Sequence, residues 1–409
     1  MSPQHQPAPA DTTEHHAAPG HAPGRTGRQM HQHAQFRHRP RILAIVLAGG
    51  AGGRLGALTD HRAKPAMPLG GSFRLIDVAL SNLHHSGISD VWIMEQYQPK
   101  TINDHLRNGR PWDLDRTRGG LLVLPPFSGN EGAGFADGNA DGLLRQASFI
   151  RDFAPDLVLV LSSDHLYRLD YRDVVETHLG SGADLTMVTV DFDGDASAHG
   201  VATVDDDGRV TGFAYKPDEP PTSLVAAEIF LYTTAALLDT LELLQDTEDG
   251  LGDYGHHLVP HLVERGTVVE HRLEGYWRDL GTPVNYLRAH LDLVDGTGLD
   301  LADPQWPILT EPPQLAPAFV GDGAVIADAL IAPGSTIRGT VRRSVIGSGV
   351  TIEAGAVVED SVLLNRVRVT ADGLVRHAIV DSDAVVSGRR EGAGPGEPAV
   401  VDRDGRMGD

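Results

Sequence analysis

A chain of 409 residues with 41% hydrophobic content is long enough for two or three packed domains. Its formal net charge of −22 and isoelectric point near 5.2 argue against nucleic acid or an anionic membrane as the main partner. There is no cysteine, which excludes disulfides, thiolate metal sites and cysteine nucleophiles.

Residues 1–40 are rich in His, Pro, Ala, Gly and Gln without periodicity, the composition of a disordered tail. No signal peptide is visible, and the longest apolar runs, Ile42–Ala48 and Leu157–Leu161, are far too short to span a bilayer. A cytoplasmic protein is expected. Ile42–Ala48 reads as a parallel strand buried on both faces. It empties into Gly49, Gly50, Gly52 and Gly53, closed by Arg54. Such a loop brings bare backbone N–H groups close to an anion, and Arg54 adds a fork of donors for phosphate oxygens. The glycine spacing matches neither the P-loop nor the dinucleotide fingerprint, and on these residues alone an ordinary turn is an equally good reading. The chain has only three lysines, Lys64, Lys100 and Lys216, in a sequence that otherwise uses arginine. A site that needs a compact ammonium accounts for such retention, and chance surface retention is the plainer alternative.

From 41 to 295, short apolar strands at Val91–Met94, Leu157–Leu161 and Leu185–Val190 alternate with helical patterns near 75–86, 139–152, 171–181, 233–246, 253–265 and 283–294. This predicts an α/β domain with a largely parallel sheet whose ligands bind beyond the carboxyl ends of the strands. The glycine loop, Asp164 and the turn before helix 139–152 all fall at that edge. Arg54, Arg62, Lys64, Arg74, Lys216 and Arg278 are candidates for a basic pocket inside the acidic shell. Residues 296–318 are Pro-rich and read as a linker. Beyond them, Ile331 and Ile337, then Ile346, Ile352, Val358 and Leu364, then Ile379 and Val385, recur at six-residue steps. That period predicts a parallel β-helix over 319–386. The polar stretch 387–409 reads as a flexible tail.

LAGGAGGRL and RAKPAMPLGGSFRLIDVALSN, followed by NADGLLRQ (139–146), LSSDHLYRLDY (161–171), FAYKP (213–217) and GYWRDLGT (275–282), resemble the nucleotidyltransferases that make nucleotide sugars. The nearest subset is the ADP-glucose pyrophosphorylase family, and the likeness runs from about 41 to 386. It implies a Rossmann-like nucleotidyltransferase domain followed by a left-handed parallel β-helix. It also implies an enzyme that condenses a nucleoside triphosphate with a sugar 1-phosphate, and a homo-oligomer.

By this resemblance Asp164 and Asp279 hold Mg²⁺. Two carboxylates plus triphosphate oxygens suit that ion. On the residues alone, Asp164 is equally a turn former and Asp279 equally a brace for Arg278. The resemblance gives Arg54 and Lys64 the departing pyrophosphate and Lys216 the acceptor phosphate. It places the nucleotide against Leu47, Ala48, Gly49, Gly50, Gly52, Gly53, Gln96 and Asp141. The acceptor wall departs from the family pattern. Tyr215 stands where a glutamate usually precedes the lysine, and Ala226, Ala227 and Glu228 stand where Ser, Met and Gly are common. Tyr215, Lys216 and Glu228 are therefore the expected acceptor contacts. A rewritten wall around intact phosphate-handling residues implies a changed acceptor. The expectation leans to a valienol-type cyclitol 1-phosphate with GTP, in antibiotic biosynthesis. Glucose 1-phosphate with ATP is the alternative, and a non-catalytic regulatory paralogue the second.

Overall fold

The computed structural model describes residues 39–50, 52–125, 136–246, 251–394 and 396–407. Apart from its last two residues, the expected disordered tail lies outside the described residues. The N-terminal part is built on a nine-stranded mixed sheet. Seven strands run in the spatial order Val210–Tyr215, Gly200–Val204, Leu224–Thr233, Leu157–Ser162, Ile42–Ala48, Asp90–Glu95, Gly120–Leu124. Leu185–Asp191 pairs with Leu224–Thr233 and with Val268–Arg272. Ile42–Ala48 lies at the centre, parallel to both neighbours. Its even and odd residues feed two separate cores. Ala44, Val46 and Ala48 pack with Ile76, Leu80 and Ile102, while Leu43 and Ile45 pack with Leu143, Ile150 and Val160. A strand buried on both faces reads as a continuous apolar run, which is how the sequence presents it.

Helices form at Leu75–His85, Tyr171–Ser181, Thr234–Leu244 and Pro283–Asp295, close to the predicted spans. Two predictions differ in a way that matters for the site. The helix expected over 139–152 is two, Asn139–Arg145 and Ala147–Phe153, meeting at Gln146. The helix expected from 253 begins at Leu258, so residues 253–257 are a turn.

Residues 296–318 carry no helix or strand and are pinned to helix Leu75–His85. Leu309 N donates to the Ser81 hydroxyl at 2.8 Å, and the Trp306 indole donates to Asn82 at 2.7 Å. The C-terminal part is a parallel β-helix in which strands pair in register 15 or 17 residues apart, as in Thr336↔Thr351 and Thr340↔Val357, and 21 apart in the last coil. Of the six-step residues, Ile337, Ile346, Ile352, Val358, Leu364 and Ile379 are buried. Val385 is 55% exposed, and its neighbour Val386 points inward instead. The expected flexible tail is also corrected. Arg389–Glu391 pairs with Leu374–Arg376, and Ala399–Val401 pairs with Ala378–Val380, adding a further coil. Ala399 and Val401 supply its inward side chains, a short apolar signal submerged among Gly, Pro and Arg.

The two halves share a third core. Leu58, Met67, Leu75 and Tyr286 of the N-terminal part pack with Val345, Val362, Leu364 and Ile379 of the β-helix. Within it, the Arg62 guanidinium donates to Asp381 at 2.6 Å and to the Leu58 carbonyl at 2.9 Å. Asp381 is 1% exposed and Arg62 13%. Breaking a buried pair from one side leaves an uncompensated charge. Asp381→Ala should therefore lower stability by about 3–5 kcal/mol, read as a lower urea midpoint. Removing both partners in Arg62→Met/Asp381→Leu should restore most of that loss.

Candidate active site

The carboxyl ends of Ile42–Ala48, Asp90–Glu95 and Leu157–Ser162 open into a cleft of about 360 Å³. The glycine loop forms one lip. Gly52 has φ +68°, and a Cβ there would sit 2.8 Å from Thr59 and 3.2 Å from Lys64, so the turn requires glycine. A Cβ at Gly50 or Gly53 would meet nothing within 4 Å. Their bare backbone faces open space, where an anion can approach. The Ser163 hydroxyl donates to the Leu47 carbonyl at 2.6 Å and ties this lip to the neighbouring strand end.

Asp164 and Asp279 come from segments more than a hundred residues apart, and a small antiparallel ribbon brings them together. Trp277–Asp279 pairs with His165–Tyr167, with Asp279 opposite His165. The Lys64 ammonium sits between the two carboxylates, bonded to Asp164 Oδ2 and 3.3 Å from Asp279 Oδ1. Lys64 is only 6% exposed. Burial opposes its charge, but Asp164 and Asp279 outweigh that and hold its pKa above the usual lysine value. Burial likewise opposes ionisation of Asp164. Lys64, His165 and the Ser162 hydroxyl prevail and keep its carboxyl below the usual range. Arg54 lies 3.9 Å from Asp279 Oδ2. Gly281 permits this approach, since a Cβ there would fall 2.7 Å from the guanidinium and 2.8 Å from the carboxylate.

His165 faces the same pair, with Nε2 3.7 Å from Asp164 Oδ1 and 3.6 Å from Asp279 Oδ1. Its Nδ1 is 3.2 Å from the Ala227 carbonyl. Burial disfavours the imidazolium, yet the carboxylates of Asp164, Glu228 and Asp279 raise its pKa. One ligand atom from each of Asp164, His165 and Asp279 lies within 4.8 Å of the others. Two carboxylates converging on one positive charge are a donor set that fits a hard divalent cation such as Mg²⁺.

Tyr215, Lys216 and Glu228 also line the cleft. Tyr215 Oη donates to Asp253 Oδ2 at 3.1 Å, and the Lys216 ammonium stands 4.5 Å from the Tyr215 ring centroid. The ring leans on Gly255, where a Cβ would lie 2.1 Å from it. Lys216 has φ +49° and Glu228 φ +56°. Glu228 sits at a register shift in strand Leu224–Thr233. Each left-handed non-glycine residue costs about 1–2 kcal/mol, so the surrounding structure must hold both in place. Burial, with the nearby Asp164 and Asp279, raises the Glu228 pKa, and His165 and Lys64 act against that.

Of the residues expected from the sequence, Leu47, Gly49, Gly50, Gly52, Gly53, Arg54, Lys64, Gln96, Asp164, Tyr215, Lys216 and Glu228 line the cleft. Asp279 lies just beneath them, through Lys64 and Arg54. Ala48 is fully buried behind the loop. Asp141 does not line the cleft. Its Oδ2 accepts from Asp137 N at 2.9 Å and from Arg145, which itself faces the cleft. Three of the six expected basic residues point elsewhere. Arg62 binds Asp381, Arg74 caps helix Leu75–His85, and Arg278 pairs with Asp292 at 2.9 Å. Asp279 is therefore not a brace for Arg278. Asp253 and Tyr254 were missed because their segment reads as the start of a helix.

Glu95 also borders the cleft and has no place in the sequence reading. It is 3% exposed, with Oε2 accepting from Asn103 at 3.0 Å and Oε1 without a partner among the described residues. Burial lifts its pKa from 4.5 to about 7, with the Asn103 bond acting the other way. The folded state then holds a proton that the unfolded chain has released. Stability is fully present below pH 4.5 and declines as pH rises to about 7, by an amount on the order of 3 kcal/mol. Glu95→Gln should flatten that slope, which urea midpoints at pH 5 and pH 8 measure directly.

Residues 43–296 match the nucleotidyl transferase family, and residues 312–401 match the GlmU-like C-terminal hexapeptide family. The chain belongs to the nucleotidyl transferase family. Glucose-1-phosphate adenylyltransferase of Bacillus thuringiensis (strain Al Hakam) is 35% identical over 351 residues, which cover 85% of this chain and 93% of that protein. The Bacillus anthracis enzyme of the same name is 35% identical over the same shares, and that of Bacillus cereus (strain ATCC 14579) 34%. With a nucleotidyltransferase domain and relatives of this kind, the chain is a sugar-1-phosphate nucleotidyltransferase, close to the ADP-glucose enzymes.

Proposed function

We propose that this nucleotidyltransferase joins ATP and glucose 1-phosphate to give ADP-glucose and pyrophosphate. The observation that carries the reading is the layout of one cleft. The glycine loop, Arg54, Lys216, Lys64 and Asp164 all line it, and Lys64 bridges Asp164 to Asp279 just beneath. The adenylyl donor and the glucose acceptor follow the relatives' printed names.

An oxygen of the acceptor phosphate attacks the α-phosphorus in line as the bond to pyrophosphate breaks, so no covalent enzyme intermediate is needed. Lys216 holds the attacking phosphate. Arg54 and Lys64 balance the charge on the departing pyrophosphate, and the loop N–H groups orient the triphosphate. This is catalysis by positioning and preorganised charge. Asp164 and Asp279 would hold Mg²⁺, which when bound supplies further charge neutralisation to the phosphates.

A second reading keeps the chemistry and changes the substrates to a valienol-type cyclitol 1-phosphate and GTP. The Tyr215 hydroxyl is occupied by Asp253, so Tyr215 offers the acceptor an aromatic face, which suits an unsaturated ring edge better than one lined with hydroxyls. The deciding experiment is a matrix of kcat/KM for ATP and GTP against glucose 1-phosphate and valienol 1-phosphate. A maximum at ATP with glucose 1-phosphate supports the first reading, and a maximum at GTP with the carbocycle supports the second. No pyrophosphate release with any pair would leave the non-catalytic paralogue. A homo-oligomer belongs to the same proposal and is checked by sedimentation of the purified chain.

A further inference from the structure

The carboxylate pair that fits a divalent ion is already matched to a cation of the chain itself. Asp164 Oδ2 and Asp279 Oδ1 both contact the Lys64 ammonium. The remaining oxygens are also engaged. Asp164 Oδ1 accepts from the Ser162 hydroxyl, and Asp279 Oδ2 faces Arg54 at 3.9 Å. An ammonium and a divalent ion on the same two oxygens would stand in direct repulsion with little water to screen them. Lys64 begins a 3-10 turn, Lys64–Ala66, stiffened by Pro65, so its backbone is fixed. Its four-carbon stem is not, and can carry the ammonium a few ångströms without moving the fold. The open cleft under the glycine loop is where that motion leads.

We infer that Lys64 and the divalent cation compete for the Asp164–Asp279 pair, so that the ion's arrival transfers the Lys64 ammonium from the carboxylates to the phosphate-binding loop. This rests on the metal assignment proposed above. Lys64 is then a positioning residue for the metal as well as a phosphate contact. The free enzyme binds the ion weakly, because only the fraction with Lys64 displaced is competent. Binding of a triphosphate, by giving the ammonium a new partner, strengthens ion binding.

The test is Mn²⁺ binding to the full chain without substrates, followed by the loss of the free-ion electron paramagnetic resonance signal. Lys64→Met should bind Mn²⁺ at least about ten-fold more tightly than wild type. Lys64→Arg, which keeps the charge, should stay near wild type. Thermal midpoints give a second reading, since Mn²⁺ should raise the Lys64→Met midpoint more than the wild-type one. If Lys64→Met is unfolded in chelator, Mn²⁺ should refold it, and failure to do so counts against the inference. Equal or weaker Mn²⁺ binding by a folded Lys64→Met overturns it. Asp279→Asn separates the two layers. If that change abolishes Mn²⁺ binding while Lys64→Met leaves it unchanged, only the exchange fails. If it has no effect, the metal assignment fails as well.

Discussion

Asp164→Asn and Asp279→Asn should each lower kcat by about 10³-fold while the protein stays folded. An amide is nearly the same size as the carboxylate but binds a hard divalent ion poorly. The two substitutions should differ in their side effects. Asp164 bonds both Lys64 and Ser162, so its loss leaves a buried ammonium with one partner, Asp279, at 3.3 Å. Asp279 shares its charge among Lys64, Arg54 and His165, and its loss leaves Lys64 still bonded to Asp164. Asp164→Asn should therefore also lower the thermal midpoint more than Asp279→Asn. Steady-state rates at 1–50 mM Mg²⁺ and a melting curve for each variant check both statements. Near wild-type turnover in either variant at ordinary Mg²⁺ would falsify that residue's part in holding the ion.

Much of this site was legible in the sequence because its parts are local. The apolar run ending in glycines predicts a buried strand opening into a bare-backbone loop, and the structure has both. Six-residue steps predict stacked coils because each coil must repeat its inward side chain. The steps fail at Leu364, Ile379 and Val385, because Leu363, Val380 and Val386 are the inward residues there and strands that pair 17 residues apart, not 18, fall out of step with a strict period of six. What the sequence does not carry is pairing between distant segments. Nothing in GYWRDLGT says that Asp279 lies opposite His165, since that follows from a three-residue ribbon closed by tertiary packing. Arg62, Arg74 and Arg278 looked equivalent to Arg54 as charges. Only their partners, Asp381 on the β-helix for Arg62, the Phe73 carbonyl for Arg74 and Asp292 for Arg278, show that they face away from the cleft. Asp253 was concealed by a helical pattern that begins five residues later in fact.

Lys216→Ala should raise the KM for the sugar phosphate by about 10²-fold and leave that for the nucleoside triphosphate within about two-fold. The expectation follows from how the residue is held. Its N–H donates to the His199 carbonyl at 2.9 Å, and the backbone turns left-handed there, aiming the side chain back across the Tyr215 ring. That ring is in turn fixed by Asp253 and by the space Gly255 leaves. The ammonium is thus held in the cleft by Tyr215 and His199 and not by the glycine loop, and the proposed role gives it the acceptor phosphate rather than the triphosphate. Lys216→Arg should recover only part of the loss, since a planar fork does not place its charge where a compact ammonium does. Tyr215→Phe removes the bond to Asp253 and keeps the aromatic face. It should raise the same KM by a smaller factor, because Lys216 keeps its platform but the platform is less firmly held. Equal rises in the two KM values for Lys216→Ala would place the residue on both substrates, and its assignment to the acceptor phosphate would have to be abandoned.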